Sequence, residues 1–366
     1  MSPTLNPALT GFRCLRCDAQ HGVVELFEGC PRCAEDGHAA SVVASYEEGA
    51  VNPLPVLGAP SLAEGDTPLL PLDALAAELG LGSLHLKAEG RNPTGSHKDR
   101  MSPLVVARAA MLGFKRVIAA SSGNAGVSLA AYAARAGLAC TILTRKGILG
   151  TYVQDMRALG ADVVVVDTSA ERWAHMALVV RAGDAYPATN YLTPPVGSNP
   201  FGVQGYKGVG HELARDLDGV DVILVPTARG DLLWGIWAGL CEASDRLRPR
   251  MIAVEPFSRT AQVLAGADYR GSFPGDSVQA AIAGGTVTWQ TVHTLRASRG
   301  LAIEVDDAGA FEAQRALGRL GVELEPCSAA PLTGLRRLVA EGGIKPGSRV
   351  VLIGTSDGRR EHRGPR

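Results

Sequence analysis

The chain has 366 residues, a formal net charge of −1, 46% hydrophobic and 20% charged residues, the make-up of an ordinary globular protein with room for two or three domains. So small a net charge gives no field to draw nucleic acid or an acidic membrane surface, and no run of about 18 apolar residues lacks a charge or a breaker, so no nucleic-acid partner and no membrane span are expected. The first ten residues carry no basic-then-apolar signal pattern, and a cytoplasmic location is the expectation.

Four of the seven cysteines fall in one N-terminal window: Cys14, Cys17, Cys30 and Cys33, spaced C-x2-C-x12-C-x2-C. Paired knuckles of this kind suit a tetrahedral Zn²⁺. Two disulfides would satisfy the same count, but a chain without a secretion signal is expected to stay reduced. A thioredoxin-like redox role does not suit, because no βαβ pattern surrounds either pair. Four thiolates leave the metal no open position, so its expected role is structural. Cys140, Cys241 and Cys327 stand alone and read as small buried apolar residues.

Residues 41–60 carry Pro53, Pro55 and Pro60 with no clear period and read as a linker. Leu84 to Ala88 reads as a buried strand, which Asn92-Pro93-Thr94-Gly95 ends with turn chemistry. Ser96 is placed to cap a following helix, with Asp99 near its third position. Lys98 then falls in the first turn. There the helix dipole and partial burial both disfavour an ammonium charge, the setting of an amine that forms a Schiff base with an aldehyde. Taken alone, Lys98 is more simply a surface lysine.

Beyond it, β-rich apolar runs at Arg116–Ala120, Cys140–Thr144, Ala161–Asp167, Val222–Pro226, Met251–Glu255 and Arg349–Gly354 alternate with amphipathic stretches at Asn124–Ala136, Val153–Leu159, Val203–Leu217 and Ala308–Leu320. Such alternation predicts an α/β protein with mostly parallel sheets covered on both faces. Ser121-Ser122-Gly123-Asn124-Ala125-Gly126 joins a strand to a long Ala-rich helix, where free backbone N–H groups bind anions. Thr227-Ala228-Arg229-Gly230-Asp231-Leu232 is a second strand-to-helix loop, with Asp231 expected to cap the helix from Leu232. A third strand ends at Gly354-Thr355-Ser356. Residues 359–366 are basic, contain Gly and Pro, and are expected to fray.

The run Asn92-Pro93-Thr94-Gly95-Ser96-His97-Lys98-Asp99-Arg100 resembles the lysine segment of the fold-type-II pyridoxal-phosphate enzymes, in particular the threonine synthase group. The resemblance runs from about Leu62 to about Gly358, and His97 stands where that group has phenylalanine. Ser-Ser-Gly-Asn-x-Gly and the strand ending at Thr355 are similar too, and some of these enzymes have an N-terminal zinc ribbon. The resemblance implies a tryptophan synthase β-like fold: a zinc ribbon (1–40), a large cofactor domain (41–100 and 196–366) and an inserted small α/β domain (101–195). It implies pyridoxal 5′-phosphate as cofactor, a small amino acid as substrate, and a homodimer. Lys98 would carry the cofactor. Asn124 would meet its phenolic oxygen, and Thr355 its ring nitrogen. Residues Thr227, Ala228, Arg229, Gly230, Asp231 and Leu232 would hold its phosphate, although most of the group's glycines are missing there and Arg229 could pair with the phosphate instead. Ser121, Ser122, Gly123, Asn124 and Ala125 would hold the substrate carboxylate. A neutral hydroxyl at Thr355 implies a weak electron sink. His97 is either a packing variant or a polar group that tunes Lys98.

Two departures bear on the substrate. The group holds the phosphate of O-phosphohomoserine with a lysine and an arginine; here Thr151 and Gly202 stand at those positions, with Arg145, Lys146 and Arg229 as conceivable replacements. The expected activity is therefore β- or γ-elimination or replacement on an amino acid other than O-phosphohomoserine. Threonine synthase proper, a serine/threonine ammonia-lyase and a non-catalytic binding protein of the same fold remain alternatives.

Overall fold

A computed structural model describes residues 2–51 and 53–360. Of the tail expected to fray, residues 361–366 lie outside the described residues. The chain divides into two compact units. One draws on residues up to Glu64, on Lys98–Tyr206 and on Thr288–Gln290; the other draws on Gly65–His97, Lys207–Val287 and the residues from Thr291.

The first unit holds a four-stranded parallel sheet, in the order Asp162–Val166, Ala139–Arg145, Arg116–Ala120, Tyr186–Pro187. Its strands are apolar on both sides because helices cover both faces. Ile118, Ala120 and Leu143 pack with Met176 of the helix Ser169–Arg181. On the other face Gly126, in the helix Asn124–Ala136, lies against Ile142 and Met156 so closely that a Cβ there would sit 2.5 Å from Met156 Cε. The same unit contains a small antiparallel sheet in the order Gln20–His21, Leu9–Cys14, Val42–Tyr46. The expected linker is thus partly a strand: Val42 and Val43 are buried, and Val42 packs beside Phe12 and Phe201, which supplies the driving force that period counting did not reveal.

The second unit is built on a six-stranded sheet in the order Leu301–Glu304, Arg250–Glu255, Val222–Pro226, Arg349–Gly354, Ser83–Ala88, Leu69–Pro71. All pairings are parallel except the last, an antiparallel edge. Leu84, Leu86, Leu224, Ile252 and Leu352 form one core with the helices Asp307–Gly318 and Pro331–Ala340. Near its Leu69–Pro71 edge the unit buries an ion pair: Lys87 Nζ lies 2.6 Å from Glu212 and donates to the Thr67 carbonyl at 2.6 Å. The helices Lys207–Asp216 and Asp231–Ala243 touch backbone to backbone at two glycines. A Cβ on Gly239 would fall 2.1 Å from the Lys207 carbonyl oxygen, and one on Gly210 would fall 2.3 Å from that of Ile236.

Gly239→Ala should therefore force these helices apart and lower stability by about 1–3 kcal/mol, the usual cost of overpacking. Urea denaturation would measure it, and an unchanged midpoint would contradict the close approach.

Candidate active site

Each unit turns the carboxyl edge of a parallel sheet onto a helix N-terminus, where open α/β sheets place their ligands. In the first unit the strand Arg116–Ala120 leads through Ser121-Ser122-Gly123 to the helix Asn124–Ala136. Its N-cap residue, Gly123, has no side chain to cap it. Ser121 Oγ instead accepts from the N–H of Gly126 at 2.9 Å and of Gly123 at 3.3 Å, which folds the loop into a concave turn. Asn124 is the first helical residue and is buried. The ring of Tyr152 backs the loop, 3.4 Å from where a Cβ on Gly123 would stand. Ser122 Oγ accepts from Arg172 Nη1 at 2.7 Å.

Lys98 belongs to the same unit. It sits in a 3-10 turn, His97–Arg100, and the α-helix begins only at Ser102, so the expected first α-helical turn at Lys98 is corrected to a tighter turn ahead of it. Lys98 is half-buried and donates from Nζ to the Tyr206 hydroxyl at 3.3 Å, with the ammonium 5.5 Å from that ring's centroid. Tyr206 is fully buried, and its hydroxyl in turn reaches Met101 Sδ at 3.4 Å.

In the second unit the strand Val222–Pro226 leads through Thr227-Ala228-Arg229-Gly230 to the helix Asp231–Ala243. Asp231 is not the cap: it is the first helical residue, and Gly230, at φ +76°, is the N-cap. Only glycine fits there, since a Cβ would meet Thr291 Oγ1 at 2.2 Å and the conformation is left-handed. Again no side chain caps the helix. The loop carbonyls are held from beneath by Arg259, which is fully buried. It donates to the carbonyls of Thr227 and Ala228, and to those of Ile282 and Gly284 at 2.7 Å each. Burial pulls the Arg259 guanidinium down to about 10, against the opposing pull of Glu255. Burial also lowers Arg229, opposed by Asp231. With the carbonyls committed downward and the helix end uncapped, this loop is a fit receptacle for a phosphate group.

Thr355, at the end of the strand Arg349–Gly354, belongs to this unit as well and is buried. His97 donates to its carbonyl from the backbone N–H at 2.9 Å, and the ring Nδ1 lies 3.1 Å from the same oxygen.

The four N-terminal cysteines form a cluster that could hold a metal ion, with all four sulfurs within 4.8 Å of one another. Cys14 and Cys33 Sγ are 3.7 Å apart, and Cys17 and Cys30 Sγ 3.8 Å. All seven cysteines are free thiols. Burial works against ionisation of Cys17, yet the Ala19 backbone and the neighbouring thiols bring it down to about 7, while burial pushes Cys14 and Cys33 up.

Tyr206, Arg172 and Arg259 were not singled out from sequence, and no motif marks them. Two strand-loop-helix edges with glycine N-caps, and a half-buried lysine in a turn, suit an α/β enzyme that takes a phosphate-bearing cofactor. A family profile described as "Pyridoxal-phosphate dependent enzyme" matches residues 60–356, and the chain belongs to that family, in its fold-type-II threonine synthase, deaminase and racemase group. Among its relatives, a threonine synthase of Halalkalibacterium halodurans is 32% identical over 307 residues, covering 82% of this chain and 84% of that protein. One of Methanocaldococcus jannaschii is 32% identical over 390 residues, covering 95% and 92%. Maize serine racemase superposes with a TM-score of 0.70 at 20% identity, covering 80% of this chain and 88% of that one. The processed threonine deaminase isoform 2 of Solanum lycopersicum gives 0.67 at 21%, covering 80% and 83%. These two likenesses concern the fold. Among the described residues no helix is long and apolar enough to cross a membrane.

Gly230→Ala should weaken retention of pyridoxal phosphate by roughly tenfold or more, because charge-assisted contacts to the phosphate are lost when the turn opens. Equilibrium dialysis of the cofactor would report this, and native affinity in the variant would remove the loop from the site.

Proposed function

We propose that the chain is a threonine-synthase-like enzyme catalysing β- or γ-elimination or replacement on a small α-amino acid whose leaving group is not held as a phosphate. In this reading Lys98 carries the cofactor, Asn124 bonds its phenolic oxygen, Thr227–Leu232 cradle its phosphate, and Thr355 faces its ring nitrogen. When bound, pyridoxal phosphate supplies an aldehyde for amine attachment and a conjugated ring that accepts the electron pair of a broken Cα bond. Ser121–Ala125 hold the substrate carboxylate on loop N–H groups and so orient the Cα–H bond. Lys98, once released, would take the Cα proton; the Tyr206 hydroxyl, 3.3 Å from Nζ, would hold the amine in place while it is free. Loss of a group from Cγ needs a second proton removal at Cβ, for which Lys98 is again the base.

The observation that carries the substrate part is Gly202. It is buried, and a side chain there would begin 2.5 Å from Val105 Cγ2 and 2.8 Å from Met101 Cγ, on the helix that follows Lys98. An arginine at this position has no room, so restoring one would disturb that helix rather than rebuild a phosphate site. Thr151 is exposed. Lys146 is exposed and paired with Asp167.

Two observations favour a second reading, threonine synthase with a relocated cation. The curated relatives carry that name, and Arg172 stands beside Ser122 in the loop assigned to the substrate. A substrate series followed by product release separates the two. 2-Oxo acid or a replacement product from unphosphorylated amino acids supports the first reading. Efficient phosphate release from O-phosphohomoserine, lost in Arg172→Met, replaces it with the second. Under either, Lys98→Ala should abolish turnover and the absorption of lysine-linked cofactor; an active variant would move that role to another residue.

The ribbon cysteines, Cys14, Cys17, Cys30 and Cys33, are proposed to bind one structural Zn²⁺. Zinc–thiolate bonds of about 2.3 Å give a tetrahedron with sulfur–sulfur edges of about 3.8 Å. The separations of 3.7 and 3.8 Å support that fit. Metal analysis should find about one zinc per chain, and chelation should lower the melting temperature. Four freely titrating thiols and no zinc would end the proposal.

A further inference from the structure

The loop Ser121-Ser122-Gly123 lies between helices from opposite faces of its sheet. The strands Arg116–Ala120, Ala139–Arg145 and Asp162–Val166 are parallel, so the helices that follow them, Asn124–Ala136, Gly150–Ala158 and Ser169–Arg181, all begin at the same edge. Tyr152, from the second of these helices, backs Gly123. Arg172, from the third, donates to Ser122 Oγ at 2.7 Å. A capping box fixes the start of that third helix. Thr168 Oγ1 accepts from the Glu171 N–H at 3.1 Å, and the Glu171 carboxylate accepts from the N–H groups of Asp167 and Thr168 at 3.0 and 3.3 Å.

The two serines of the loop are committed differently. Ser121 is 6% exposed, and its hydroxyl is spent within the loop: it accepts from the N–H groups of Gly126 and Gly123 and donates to the Gly123 carbonyl at 3.3 Å. Ser122 is half-buried. A guanidinium has five N–H donors and no acceptor, so the direction of the Arg172–Ser122 bond is fixed. Ser122 takes the arginine N–H on a lone pair and gives its own proton elsewhere. In the backbone, the Ser121 N–H goes to the Leu143 carbonyl at 3.0 Å, while the N–H groups of Ser122 and Ala125 make no hydrogen bond among the described residues. The Ser122 hydroxyl and these two N–H groups are donors that the loop can offer an anion, with a permanent positive charge one bond behind the hydroxyl.

We propose that Arg172 is a positioning residue of the carboxylate subsite: it holds the Ser122 hydroxyl as a donor toward the substrate's α-carboxylate and places positive charge behind it, so that the loop selects an ionised carboxylate over an amide. The proposal rests on the assignment of Ser121–Ala125 to the carboxylate in the proposed function. Within that loop it gives the Ser121 side chain to the shape of the turn and the Ser122 side chain to the ligand. It also makes the effect of Arg172 independent of the substrate's leaving group, because the α-carboxylate is common to all amino acids.

The test titrates holoenzyme with glycine, L-alanine, L-serine and L-threonine and with the amide of each, following the cofactor's absorbance. The native protein should bind each amino acid more tightly than its amide. Arg172→Met should raise Kd for the amino acids about tenfold, the loss of one charge-assisted hydrogen bond, and leave the amides in place. The loss should be equal across the four side chains and equal again for O-phospho-L-serine, whereas a cation for the leaving group would cost only the phosphorylated ligand. Arg172→Lys, which keeps the charge, should recover part of the affinity. Ser122→Ala should give the same loss, and the double variant no more than either alone. Should Arg172→Met fail to fold, Arg172→Gln, uncharged and polar, decides. Unchanged affinity, equal weakening of amino acids and amides, or a loss confined to O-phospho-L-serine overturns this role of Arg172 and leaves the carboxylate assignment standing. A native holoenzyme that binds the amides as tightly as the amino acids, or binds none of them, overturns that assignment as well.

Discussion

Backbone N–H groups at a helix start need acceptors, and at the helices Asn124–Ala136 and Asp231–Ala243 the N-cap residue is a glycine with no side chain to provide one. A side-chain cap contributes roughly 0.5–2 kcal/mol; glycine at both N-caps forgoes it, the setting in which helix N-termini take anionic ligands. Gly123 and Gly230 occupy the N-cap positions; at Gly230 the left-handed backbone and the contact with Thr291 exclude any larger residue. The parallel sheets dictate where the helix ends lie. Strands covered on both faces can release their chain only at the edges, and in the same direction each time.

Polar groups buried beneath these edges hold the loops in shape. Arg259 is enclosed in the second unit, yet its guanidinium meets four carbonyls and lies 3.4 Å from Glu255. Removing one member of such a set leaves an uncompensated charge, which typically costs about 3–5 kcal/mol. The loop Thr227–Gly230 thus owes its conformation to a guanidinium below it as well as to the glycine at its end. Lys87 and Glu212 are a second buried ion pair of this unit.

Family membership and substrate choice rest on different residues. Lys98, Asn124 and the loop at Gly230 carry the expected cofactor site, whereas the substrate reading turns on Gly202, Thr151 and Arg172. Gly202 packs so tightly against Met101 and Val105 that no larger side chain fits there without moving the helix Ser102–Met111. Arg172, from the helix Ser169–Arg181 of the same unit, brings a cation to Ser122.

Much of the fold was legible in the sequence because its signals are local. The strands Arg116–Ala120, Val222–Pro226 and Arg349–Gly354 and the helix Asn124–Ala136 run between the residues that apolar period and turn chemistry marked. The cysteine spacing likewise announced a cluster whose sulfurs do converge. Local patterns failed where neighbours in space decided the outcome. Val42–Tyr46 became a strand because Leu9–Cys14 was there to pair with it. Lys98 lies in a 3-10 turn, and Asp231 inside its helix, for reasons of packing that no propensity encodes. The hydrogen bonds around the candidate site span long stretches of chain: Lys98 and Tyr206 are 108 residues apart, Ser122 and Arg172 50, Thr227 and Arg259 32, and Ser328 and Thr355 27. A hydrogen bond depends on distance and direction within a few tenths of an ångström. Residue order carries neither until the sheets have formed, so the sequence by itself determined the class of enzyme and its elements, and the tertiary structure decided which side chains support them.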